Sequence, residues 1–146
     1  MKKLFHLAVI LLTIALIGLA MGCQSESLDI QANYRIRLQA TSPGATLQAH
    51  QSYSIPLELL TDSYYSEYGY QLQFYQQTGL GKFERGILKE ERLPILQKVA
   101  VTLPLGVSNW QYTPEAVGPS QIVLVAQQER GYTKPDTVRL TFQVVP

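Results

Sequence analysis

The chain has a single cysteine among its 146 residues, a single tryptophan and only two histidines. With no second thiol there is no intrachain disulfide, so a folded state has to rest on its buried core. The same scarcity leaves too few Cys and His side chains for a nitrogen and sulfur zinc site, and no metal is expected. Charge is sparse too, with Asp, Glu, Lys and Arg at 16% and a formal net charge of +1. Nucleic-acid binding sets several Lys or Arg against phosphates, and this balance offers no electrostatic case for it. Helical periodicity of useful length is also missing after residue 23.

What is present begins at the amino terminus. Lys2 and Lys3 precede an apolar run from Leu4 to Ala20, broken only by His6, Thr13 and Gly18, in the order of a secretory leader. The rival reading is a transmembrane anchor, since a span needs roughly 20 apolar residues. Cys23 separates the two. It follows Ala20-Met21-Gly22, small residues at the end of the run, and the pattern resembles a lipobox with Leu19 one place early. On that resemblance residues 1–22 are removed and Cys23, the new first residue, carries covalent lipid. A single acyl chain binds marginally, at ~0.8 kcal/mol per buried methylene, whereas two or three hold a protein at the membrane. No Asp follows the cysteine and no tight acidic cluster lies nearby, so the expected location is the cell envelope, at the outer membrane facing the periplasm.

Removal of residues 1–22 leaves ten Lys and Arg against eleven Asp and Glu, a net charge of −1. Residues 23–32 read as a polar tether and residues 33–146 as one domain. In that domain Tyr34-Arg35-Ile36-Arg37-Leu38 alternates apolar and charged residues with period two, as does Tyr70-Gln71-Leu72-Gln73-Phe74. Tyr53, Ile55, Leu57 and Leu59 alternate as well. Pro56 among them cannot donate to a ladder, which predicts an edge or bulged strand. Ile122-Val123-Leu124-Val125-Ala126 is continuously apolar, as in a central strand covered on both faces. Val138, Leu140, Phe142 and Val144 alternate with Thr137, Arg139, Thr141 and Gln143, the clearest one-faced strand. Residues 86–98 fit neither pattern and read as a short strand or an irregular crossing. About seven short strands between turns predict an all-β, immunoglobulin-like antiparallel β-sandwich. The segment from Trp110 to Gly118 would turn its corner from one sheet to the other.

Candidates for chemistry are few. His50 sits in a polar stretch, and Asp29, Asp62 and Asp136 are scattered, so no nucleophile, base and carboxylate come together in sequence. Glu90 and Glu91 adjoin Lys89 and Arg92, a solvated charge cluster. Gly79-Leu80-Gly81-Lys82 lacks the earlier glycine and the Ser or Thr of a phosphate loop, which leaves a hairpin turn. No catalytic residue, no metal and no cofactor beyond the lipid on Cys23 is therefore expected. The most suggestive local feature is Tyr64-Tyr65-Ser66-Glu67-Tyr68-Gly69-Tyr70. Tyrosine combines apolar area with a polar tip, so Tyr64, Tyr65 and Tyr68 are a candidate partner surface, with burial as the alternative.

Several segments together resemble a known family. Leu28-Asp29-Ile30-Gln31 close behind the lipobox, Tyr70-Gln71-Leu72-Gln73-Phe74-Tyr75-Gln76 leading into Gly79-Leu80-Gly81, Trp110-Gln111-Tyr112-Thr113 and Leu140-Thr141-Phe142-Gln143 are similar to the TraQ-type proteins of conjugative transposons. The resemblance implies a small envelope lipoprotein with an immunoglobulin-like fold and no chemistry of its own. Its implied partners are the membrane, through the N-terminal lipid, and other envelope or transfer-apparatus proteins. The resulting expectation is a non-catalytic accessory of a conjugative transfer apparatus, docking another envelope protein. The alternative is a lipid-anchored immunoglobulin-like module for carbohydrate or adhesion, and an enzyme is a more distant third. Exposed aromatics on a sheet face would favour sugar, and an unpaired edge strand would favour protein.

Overall fold

Period-two patterning puts one apolar row on each strand, and such rows are stable only when two sheets close on each other. The computed structural model, which describes residues 35–62, 69–130 and 133–146, has this arrangement. The strands in chain order are β1 (Ile36–Ala40), β2 (Thr46–Gln48), β3 (Tyr53–Thr61), β4 (Tyr70–Thr78), β5 (Gly81–Arg85), β6 (Leu93–Pro94), β7 (Ala100–Thr102), β8 (Gly106–Pro114), β9 (Gly118–Gln128) and β10 (Asp136–Val145). Among the described residues the only helical element is a 3-10 turn at Lys89–Glu91. One sheet has the order β1-β3-β8-β5-β6 and the other β2-β10-β9-β4-β7. About seven strands were expected and ten are found among the described residues, because β2, β6 and β7 are two- or three-residue pieces at sheet edges. All pairs are antiparallel except β2 with β10, where Leu47 lies beside Val144.

Side chains from both sheets make one core. Ile55, Leu57 and Leu59 of β3, Leu72 and Phe74 of β4, and Ile122, Leu124 and Ala126 of β9 all point inward. Aromatic rings bridge the layers: Phe74 stacks on Phe83 at 5.2 Å, and Phe83 stacks on the fully buried Trp110 at 5.5 Å. A polar tie also crosses between the sheets. The Tyr112 hydroxyl lies 2.8 Å from Ser120 Oγ, and Gln76 Nε2 donates to both at 3.2 Å. A buried network satisfied in this way fixes register in addition to adding stability.

Two local expectations change. The strand carrying Pro56 is interior, flanked by β1 and β8. β1 ends at Ala40, opposite Leu57, and the Pro56 carbonyl accepts from the Thr41 N–H at 3.0 Å. The N and C=O of one strand residue point the same way, so the donor that proline lacks falls where β1 is already leaving the sheet. β9 is central as expected, but it is covered on one face only. Its even-numbered residues from Ser120 to Gln128 are buried, and Val123 and Val125 are half-exposed. The corner from β8 to β9 does turn on Gly118, whose φ of +121° suits glycine.

Register also defines the two ends of the sandwich. Ile36 lies opposite Thr61, Leu59 opposite Gly106, and Tyr70 opposite Gln128. Arg35, the first described residue, therefore lies at the end shared by the start of β8 and the start of β4. The opposite end carries the β4–β5 and β8–β9 turns, where Glu115 N–H donates to the Leu80 carbonyl at 2.8 Å.

Candidate functional site

Exposed large aliphatic side chains are unevenly distributed. Of ten such residues among those described, seven lie from Ile87 to Val107. The stretch from β6 to β8 is a strap that leaves one sheet, crosses the open side of the sandwich and returns. Besides the short ladders of β6 with β5 and β7 with β4, its backbone is pinned at three points: the Ile95 N–H donates to the Phe83 carbonyl at 2.8 Å, Lys98 to Phe74 at 2.9 Å and Leu103 to Tyr70 at 2.8 Å. Along the strap Ile95 and Leu103 turn inward and are buried, while Leu93, Leu96 and Val99 face out, with Leu96 66% exposed. A strand pattern would have made the outward residues polar. Lys98 reaches its bond to Phe74 with φ at +67°, a left-handed conformation that costs a lysine about 1–2 kcal/mol.

The strap carries the outer edge strand of each sheet on this side, β6 at two residues and β7 at three. Such short edges resist edge-to-edge pairing. Contact here would therefore be made by side chains. No described aromatic residue is exposed: Tyr70, Phe74, Phe83, Trp110, Tyr112 and Phe142 are buried, and Tyr53 and Tyr75 are half-buried.

The polar candidates have structural partners. Asp136 Oδ2 accepts the Leu38 N–H at 2.7 Å and its Oδ1 accepts the Thr137 N–H at 2.9 Å, so one carboxylate fastens β1 to β10. Asp62 Oδ1 takes the Arg35 N–H at 2.7 Å. His50 stands exposed in a turn after β2, with φ at +63° and its N–H donating to the Pro114 carbonyl at 2.7 Å. Glu84 lies 3.7 Å from Arg92. The Lys82–Glu115 pair closes at 2.7 Å, and hydrogen bonding and charge attraction from Glu115 hold the exposed ammonium above the ordinary lysine value of 10.5. Gly79 to Lys82 forms the β4–β5 turn, with Gly79 at φ +76° and Gly81 closely facing the Tyr112 ring. Among the described residues no three His, Cys, Asp or Glu side chains gather as metal ligands, and no helix is long and apolar enough to cross a membrane.

Cys23 and the tyrosines Tyr64, Tyr65 and Tyr68 lie outside the described residues. Reasoning from sequence missed the strap. Its only signal was negative, apolar residues in 86–98 at spacings that serve neither a helix nor a strand.

Comparison with known proteins adds identity to this geometry. No curated protein matches the chain. Among solved structures, a conjugative transposon lipoprotein from Bacteroides eggerthii superposes with a TM-score of 0.62 at 14% identity, covering 75% of this chain and 96% of its own. A lipoprotein from Bacteroides thetaiotaomicron gives 0.64 at 18% identity, with 82% and 88% covered. A conjugate transposon protein from Bacteroides vulgatus gives 0.62 at 18%, with 81% and 91% covered. At such identities these structures show a shared fold. The family model for TraQ conjugal transfer protein matches residues 6–102, more than half of the sequence, and the chain belongs to that family.

Proposed function

We propose that this protein is a non-catalytic, lipid-anchored accessory of a conjugative transfer apparatus, held in the cell envelope through Cys23 and docking another envelope protein through the strap. The observation that carries this reading is the outward row Leu93, Leu96 and Val99, running from the short edge strand β6 to the short edge strand β7, in a chain of a conjugal transfer family. Aliphatic groups held in water on a pinned backbone cost solvation free energy, and a partner that buries them recovers about 25 cal/mol per Å². Two of the similar structures are of lipoproteins, which supports acylation at Cys23, with residues 1–22 as leader and 23–32 as tether. The lack of an acidic signal after Cys23 supports the outer membrane, facing the periplasm. Sugar binding has less support, since every described aromatic is at least half-buried. An enzymatic role has less again, because the best-positioned carboxylates hold backbone or basic partners.

Photo-cross-linking from position 96 in mating cells tests the docking. A covalent adduct identified by mass spectrometry as a transfer-apparatus protein is expected, and no adduct, or the same adducts from position 139, would refute it. Tyr64, Tyr65 and Tyr68 are a separate proposed contact. Their joint replacement by Ser should reduce capture of that protein, and unchanged capture removes them from the surface.

A further inference from the structure

Five exposed aliphatic residues stand apart from the outward row of the strap, at the end of the sandwich that holds Arg35, the first described residue. Leu60 lies opposite Arg37 on β1, and Val107 lies opposite Glu58, so both project from the outer face of their sheet near its rim. Leu105 precedes β8 at the same end. β5 runs toward this end, because Phe83 pairs with Tyr112 and Arg85 with Trp110, and the turn beyond it carries Ile87 and Leu88. Val107 is 67% exposed. The opposite end offers only Leu80 and Val117 among the described large aliphatics.

We infer that this end of the sandwich rests on the bilayer, with Leu60, Ile87, Leu88, Leu105 and Val107 dipping into its interfacial layer. The inference depends on the lipid anchor proposed at Cys23. Eleven residues separate Cys23 from Arg35, a reach of about 40 Å when fully extended. β9 has 11 residues and spans about 36 Å. For the far end to meet the membrane, the tether would have to double back along nearly the whole sandwich, giving up most of its conformational freedom. The near end needs no such extension. Charge there is mixed, with Arg35, Arg37 and Lys89 beside Glu58, Glu90 and Glu91, so apolar burial drives the contact rather than attraction to anionic lipid. The strap row of Leu93, Leu96 and Val99 then stays on the side of the domain, open to a partner on the same membrane.

Acylation consumes Cys23, so an introduced cysteine can be labelled alone. Full-length lipidated Leu60→Cys, Val107→Cys and Val117→Cys variants carry an environment-sensitive fluorophore in vesicles of phosphatidylethanolamine and phosphatidylglycerol, with and without nitroxide lipid. Blue-shifted emission and strong quenching at positions 60 and 107, water-like emission at 117, and no change with added salt or on omitting phosphatidylglycerol are expected. Retention on vesicles without quenching at 60 and 107 overturns the inference and leaves the anchor standing. A parent protein that fails to stay with vesicles overturns both. Blue shift without lipid quenching in a paired molecule would assign the patch to a second copy. Shielding only in envelopes that contain the transfer apparatus would assign it to a protein, and either result refutes membrane contact.

Discussion

Along β10 the outward side chains are Thr137, Arg139, Thr141 and Gln143, whereas on the other side of the sandwich the strap turns Leu93, Leu96 and Val99 outward. Both surfaces cover the same core from extended backbone. β10 alternates in register with β9 over nine residue pairs, and each inward Leu140, Phe142 or Val144 is matched by an outward polar neighbour. The strap pairs over only two residues in β6 and three in β7, and its inward Ile95 and Leu103 sit eight residues apart with aliphatic residues between them. Stability explains every side chain of the first surface. It explains only the inward residues of the second, and for the outward ones we propose recognition.

The most severe way to break the comparison is to remove the core that both surfaces share. Trp110→Ala should cost about 3–5 kcal/mol, the range for deleting a buried aromatic, and a denaturant melt should show both surfaces lost in one transition. Next is Asp136→Ala, which acts on the β10 side alone. Two backbone N–H groups lose a charged acceptor, so about 2 kcal/mol should go, and hydrogen exchange at Leu38 should quicken while the strap stays protected. Lys98→Gly acts on the strap alone and in the other direction. Glycine accepts a φ of +67° freely, so stability should rise by about 1 kcal/mol in the same melt. The smallest effect lies at the far end, away from both surfaces. Glu115→Gln should bring the Lys82 ammonium back toward 10.5 in an NMR titration. Because that pKa is raised in the folded state, its small stabilisation is complete below 10.5 and disappears as pH climbs through the raised value.

Much of the fold was legible because alternation reports one buried face. β10, β4 and β1 were readable from Val138 to Val144, Tyr70 to Phe74 and Ile36 to Leu38, and the turn at Gly118 from the glycine itself. Pro56 misled, since an edge strand and the end of a neighbour's ladder both tolerate a missing donor and sequence does not separate them. The run Ile122–Ala126 misled because Val123 and Val125 suit a half-exposed sheet face nearly as well as a buried one. The strap was illegible for a deeper reason. Its conformation is set by short ladders to β5 and β4 and by three further bonds to Phe83, Phe74 and Tyr70, the last three partners lying 12 to 33 residues away in sequence, and no local period records them. The site resisted for the same reason, because exposure of Leu96 is a property of the assembled sandwich.

The docking role of the strap is tested most directly by transfer frequency with the strap recharged and the fold intact. A Leu96→Asp, Val99→Asp variant changes two exposed positions, so stability should move by less than about 1 kcal/mol in total, and membrane fractionation should match the parent. The account predicts that conjugal transfer falls at least tenfold in this variant and is unchanged in Arg139→Ser, Thr141→Asp on the β10 face. Parental transfer from a folded, membrane-held strap variant would contradict it.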